Sequence, residues 1–316
     1  NIEILSLEDT DLTCPISDTI GNRYNAVHGL VNYLPTICGG QYPNGSIADS
    51  CFQLDTVQNT FVPIDNLGTG VASAAFAQWG NSIIIAGGIG GDPAGSLDLV
   101  QIADDTSIKW NLPKPLAGHC MALIPDTDVP TYYVMGGENE EGVSNETYSC
   151  SLEENGKYTL IHPKLLNKCT FIGLDLYCYP KENLQTPNPR INHMCGTMVK
   201  EGKRYLFVVG GKSQTGDTSS YCEYIQFEGS GWHRCEDLPD EPLEGGQLIN
   251  DPETGDLLLL GGSNGDHPQN TIYRLSSING TWDVQEKTMQ VGRRGFSAIV
   301  VPDAIIDCDK SMNIHD

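Results

Sequence analysis

IIIAGG (83–88), YYVMGG (132–137), LFVVGG (206–211) and LLLLGG (257–262) each run four apolar residues into a pair of glycines, and TICGG (36–40) makes a fifth such stretch. The pairs lie 48, 49, 74 and 51 residues apart. An aromatic residue follows the second glycine of each pair after 20 to 22 residues, at Phe61, Trp110, Tyr158, Trp232 and Trp282. Between pair and aromatic stands a short alternating segment: SCFQLD (50–55), LDLVQI (97–102), TYSCSL (147–152), YCEYIQF (221–227) and TIYRLS (271–276). Period-2 alternation bounded by Asn, Asp, Gly and Ser predicts strands.

Upstream of the glycines the pattern also recurs. A small or apolar segment precedes a polar turn and then the apolar run, as in VASAAFAQ (71–78), HCMALI (119–124), CGTMV (195–199) and GQLIND (246–251). Each unit therefore reads as four short strands in an antiparallel meander, and no helical period of 3.6 is sustained. The expected shape is a wedge: first strand near a central axis, apolar second strand buried between neighbours. The glycines permit close backbone approach, and the late aromatic packs between units.

These features together resemble the kelch repeat, a diglycine after an apolar strand with an aromatic-bearing strand and a tryptophan at fixed offsets. The resemblance implies an all-β fold, a β-propeller of blades near 50 residues, and for 316 residues six blades. The units read as 26–66, 71–116, 117–190, 191–240 and 246–290, with a composite sixth blade from 295–308 and 1–16. In that blade Phe296 to Val301 and Ala304 to Asp307 supply the first two strands and IEILSL (2–7) the third, so strands from both termini close the ring. A five-bladed ring with ragged ends is the alternative. The third unit carries an insertion, 163–190, in which CTFIGLDLYC (169–178) reads as a projecting hairpin stapled by Cys169 and Cys178, followed by a polar return linker.

Eleven cysteines without C-x2-C spacing favour an oxidising, secreted setting over a zinc site. Strand-end positions suggest the pairs Cys38 with Cys51, Cys222 with Cys235, Cys14 with Cys308 and Cys120 with Cys195, leaving Cys150 free or intermolecular. The sequons at Asn44, Asn145 and Asn279 fall in turns and predict N-glycans. No run of 18 apolar residues predicts a membrane span, and the sequence starts at Asn1 without a leader, so any signal peptide is expected to be gone. A net charge of −23 argues against nucleic acid as partner.

His28, His119 and His193 stand at the starts of innermost strands and are weak candidates for a metal site; the other reading is local hydrogen bonding to backbone. Copper-radical oxidases also resemble kelch propellers, but they need a cysteine-crosslinked tyrosine and a histidine from a further C-terminal domain, which this sequence is not expected to supply. No catalytic residue or cofactor is predicted. Glu138, Glu140 and Glu141, with Asp237, Asp240 and Glu241, predict an acidic rim for a basic protein partner. Phe171, Leu174 and Tyr177 of the insertion predict a contact surface. The leading expectation is a non-enzymatic protein-interaction or structural module of an extracellular assembly, acting through a protein partner or self-association; a carbohydrate-binding propeller is the alternative.

Overall fold

The computed structural model describes residues 20–301 apart from 92–94, 104, 125–130, 155–173, 228–230, 252 and 266. Among the described residues, five four-stranded antiparallel sheets follow one another along the chain. Blade one is Val27–Val31, Leu34–Cys38, Cys51–Asp55 and Thr60–Ile64. Blade two is Ala75–Trp79, Ser82–Ala86, Leu99–Ile102 and Asp105–Asn111. Blade three is Cys120–Ile124, Thr131–Met135, Thr147–Glu154 and Leu174–Pro180. Blade four is Met194–Lys200, Lys203–Val209, Cys222–Gln226 and His233–Arg234. Blade five is Gln247–Asn250, Leu257–Leu260, Ile272–Leu275 and Asp283–Val284.

The second strands are apolar on both faces because each face meets a different neighbour. Ile83 and Ile85 pack with Val31 and Cys38 of blade one, while Ile84 and Ala86 pack with Tyr132 and Val134 of blade three. Tyr133 and Met135 then meet Leu206 and Val208, and Phe207 and Val209 meet Leu257 and Leu259. Each fully buried side chain of this size contributes about 1.5–3 kcal/mol relative to exposure. The late aromatics seal the same seams: the indole nitrogens of Trp232 and Trp282 donate to the carbonyls of Leu184 and Glu236.

At the entrance to each first strand one residue has left-handed φ: Asn25, Ser73, Gly118, Asn192, Gly245 and Gly295, between 52° and 66°. Their backbone groups form a closed ring. Ser73 N–H donates to Asn25 C=O, Gly118 to Ser73, Asn192 to Gly118, Gly245 to Asn192, Gly295 to Gly245, and Asn25 to Gly295, at 2.6–3.0 Å. The sixth unit therefore takes its place in the ring. Its segment 296–301 forms no sheet, unlike the expected strand, yet it packs where a first strand belongs. Gln247 Nε2 donates to Phe296 C=O and Ala298 N–H to His28 Nε2. The remaining strands expected of that blade, and the Cys14–Cys308 pair, lie outside the described residues.

The paired glycines provide a second bond at each junction. The amides of Gly40, Gly88, Gly137, Gly211 and Gly262 donate to the carbonyls of Val71, Leu116, Arg190, Leu243 and Arg293, two residues before the next ring position, at 2.7–3.0 Å. Both glycines of every pair have positive φ.

The third unit corrects the expected insertion. Residues 174–180 are not half of a projecting hairpin; they pair in register with Tyr148–Glu154 as the outer strand of blade three. Cys178 faces Cys150 across that pairing and is bonded to it, not to Cys169, so Cys150 is not the unpaired thiol. The alternation of LDLYC is a true strand signal, and its neighbour is Tyr148–Glu154. Nor is 181–190 a solvated linker: Leu184, Thr186 and Arg190 are buried, and Arg190 reaches the carbonyls of Gly210 and Tyr221 and the carboxylate of Glu223.

A Cβ on Gly210 would collide with the Leu243 carbonyl, whereas one on Gly80, also at positive φ, would meet nothing within 4 Å. Gly80→Ala is expected to cost about 1–2 kcal/mol and Gly210→Ala more than about 3 kcal/mol. Urea unfolding of the two variants measures the difference.

Candidate functional site

Strand direction alternates, so the molecule has two unlike ends. The ring, the diglycines, the loops between second and third strands and the links between blades gather at one end. The turns between first and second and between third and fourth strands gather at the other. Three second-to-third loops at the ring end are short hairpins: Ile89–Gly90 with Gly95–Ser96, Glu138–Asn139 with Gly142–Val143, and Ser263–Asn264 with His267–Pro268.

Both acidic clusters lie at the ring end, but much of their charge is engaged. Lys114 pairs with Glu141 at 3.3 Å and Glu146 at 3.1 Å. Burial works against ionisation of Glu146, yet the Tyr148 hydroxyl and Lys114 outweigh it and hold this carboxyl below its ordinary range. Asp237 accepts from Arg234 at 2.6 Å, Asp240 from the Tyr273 hydroxyl at 3.3 Å, and Glu241 from Asn264 Nδ2 at 2.9 Å. Glu138 lends its backbone to a bridge with Ala117, and Glu140 is exposed. Of these acids Glu141 and Asp237 are paired with cations, exposed pairs each worth about 0–1 kcal/mol, while Asp240 and Glu241 keep their charge and accept from neutral donors.

His28, His119 and His193 do not gather into one site. His119 and His193 directly follow ring residues, and their rings lie against Gly87 and Gly136 of the preceding diglycines. His28 lies two residues further along its strand and packs on Phe76, with ring centroids 4.3 Å apart. Among the described residues no group of three His, Cys, Asp or Glu side chains could hold a metal ion. Each histidine fills its own seam. Burial pushes His28 down to about 4 and His119 to about 3; for His193, burial first and then the Arg190 charge push it to about 3.

Among the described residues four disulfides are formed. Cys38–Cys51, Cys150–Cys178 and Cys222–Cys235 each join strands within a blade. Cys120–Cys195 joins the first strands of blades three and four across 75 residues, a closure worth on the order of 4 kcal/mol. Asn44 and Asn279 are exposed, Asn44 at the ring end and Asn279 at the opposite end, while Asn145 is half-buried. Tyr177 is exposed on the outer strand of blade three and Leu174 begins that strand; Phe171 lies outside the described residues.

Two features escaped sequence reasoning. At the end opposite the ring, Asp251 and Asp256, both buried, receive Arg274 at 3.0 Å each, with Lys200 on Asp256 at 2.8 Å, clamping blade four to blade five. The ring residues themselves carried a signal: an Asn, Ser or Gly third in RYN (23–25), VAS (71–73), LAG (116–118), RIN (190–192), LEG (243–245) and RRG (293–295).

A solved structure titled "Structure of YjhT" is similar to this one over 89% of each chain, with a TM-score of 0.63 and 12% sequence identity. The two share the β-propeller fold. No protein-family model matches the chain, and no curated protein sequence does.

The three histidines make stability pH-dependent. Their folded pKa values lie below the ordinary 6.5, so the unfolded chain binds more protons as pH falls through 6.5 toward 4. Stability is full above that window and falls on acidification, by up to about 1.4 kcal/mol per pH unit per histidine. Urea unfolding at intervals between pH 7 and about 4.5 is expected to give a slope approaching three protons. A flat profile would contradict the burial argument.

Proposed function

We propose that the chain is a secreted propeller of the kelch-repeat type that works without catalysis, as a protein-interaction or structural module of an extracellular assembly. The disulfide framework carries this reading. Three bridges stitch neighbouring strands and one welds two blades, a pattern that persists in oxidising compartments. It also stiffens the surface, and a surface ordered before binding loses less entropy when a partner docks. The five repeated diglycines, each with both residues in left-handed conformation, support the kelch assignment. The exposure of Asn44 and Asn279 fits glycan attachment outside the cell.

The charge of −23 favours a basic partner over a second copy, since like nets repel and opposite ones speed encounter. Lysine-directed cross-linking of the chain in its native extracellular medium tests this. The expected result joins Lys114 or Lys212, both at the ring end, to a second protein rich in Lys and Arg, and glycosidase treatment lowers the mass at Asn44 and Asn279. Cross-links confined to the chain itself would overturn the interaction reading, and a sugar-competed signal on a glycan array would transfer it to carbohydrate binding.

A further inference from the structure

The outer strands of the blades differ in how open they are to pairing. In blade one the outer strand Thr60–Ile64 contains Pro63, which offers no N–H. In blade two the register of Asp105–Asn111 is broken between Asp105 and Lys109. Blades four and five end in strands of two residues, His233–Arg234 and Asp283–Val284. Proline, bulges and short length are the usual devices that keep a sheet edge from adding a foreign strand. Blade three has none of them in the body of its edge. Leu174–Pro180 pairs without a break along its inner side, proline falls only at its last position, and among the described residues no strand lies on its outer side.

This edge is also held ready. The Cys150–Cys178 bridge ties it to the strand within, and Leu176 and Cys178 pack inward toward the seam with blade two, beside Trp110. The alternate residues point the other way. Tyr177 and Tyr179 are 37% and 58% exposed, and Asp175 lies on the same face, directly opposite Glu153 in the register. Two carboxylates opposite each other repel, and a cation placed beside them relieves that repulsion. Exposed tyrosine faces likewise attract Lys or Arg.

We propose that the outer edge of blade three binds an extended peptide segment by strand addition, and that the segment carries Lys or Arg at alternate positions and apolar residues between them. Backbone hydrogen bonds to 174–180 supply the docking. The basic side chains meet Asp175, Tyr177 and Tyr179, and the apolar ones continue the face of Leu176 and Cys178. The inference rests on the reading of the chain as an interaction module and names the chemistry of its partner. A second copy of the chain is disfavoured, because its own edge would bring Asp175 and no basic residue.

The test uses the full chain and a short acetylated peptide of alternating lysine and valine, with a glutamate–valine peptide as control. Hydrogen exchange is expected to slow in the amides of 174–179 on adding the lysine peptide only, and fluorescence anisotropy to show binding that weakens with salt. The double variant Tyr177→Lys, Tyr179→Lys changes two exposed side chains and is expected to weaken binding at least tenfold. Protection of another blade's outer strand, unchanged affinity in the double variant, or equal binding of the glutamate peptide would each overturn the proposal. Cross-linking of the double variant to its native partner keeps the two readings apart. If ring-end cross-links persist while the peptide fails to protect 174–179, the module reading stands and the edge is not its docking site.

Discussion

The closed circle of six backbone hydrogen bonds among Asn25, Ser73, Gly118, Asn192, Gly245 and Gly295 sets the terms for everything else in the molecule. Each bond needs its residue in left-handed conformation, which is why Asn, Ser and Gly occupy these positions. The bonds fix how closely the first strands approach. At two first-strand positions this approach leaves no room for a side chain toward the next blade: a Cβ on Gly29 would touch Ile83, and one on Gly196 would touch Leu248 and Leu257. The diglycine amides add a second bond at each of five junctions, so the blades are registered on one another before any side chain is considered. Ring closure joins residues 270 apart in sequence, Asn25 with Gly295, a contact whose chain-entropy penalty is met only when all blades are in place.

Much of this was legible in the sequence because the repeat encodes a local rule five times over. Apolar runs such as IIIA and LLLL are buried on both faces, and each ends in glycines whose conformation a β-carbon resists. Where the rule was diluted, reading failed. The third unit separates its third and fourth strands by a long intervening stretch, so CTFIGLDLYC reads as a hairpin closed on nearby Cys169, whereas the partner of Cys178 is Cys150 in the adjacent strand. PKENLQTPNPR reads as a polar linker because sequence does not reveal that Arg190 finds buried carbonyls and Glu223. The sixth unit has no diglycine, and its part in the ring emerges only from backbone contacts at Gly295 and Ala298.

The candidate sites were less legible than the fold, for a physical reason. A histidine at a strand start can serve a metal or a seam, and only three-dimensional spacing decides. His119 and His193 prove to be packing groups against glycine, buried beside the backbone of Ala86 and of Arg190 and Met135 respectively. Acid clusters likewise read as free charge in sequence, yet Glu141, Asp237 and Glu241 each have an internal partner. A ring closed by backbone hydrogen bonds and bridged by disulfides offers its loops and outer edges to partners. The edge of blade three stands out among these by its length, its register and its exposed tyrosines.

Amide hydrogen exchange at the six ring positions tests the closed ring most directly. The account predicts that Asn25, Ser73, Gly118, Asn192, Gly245 and Gly295 exchange at a common slow rate set by global unfolding, because no single bond opens without breaking the circle. Fast exchange at Asn25 and Gly295, with slow exchange at the other four, would show an open ring and contradict it.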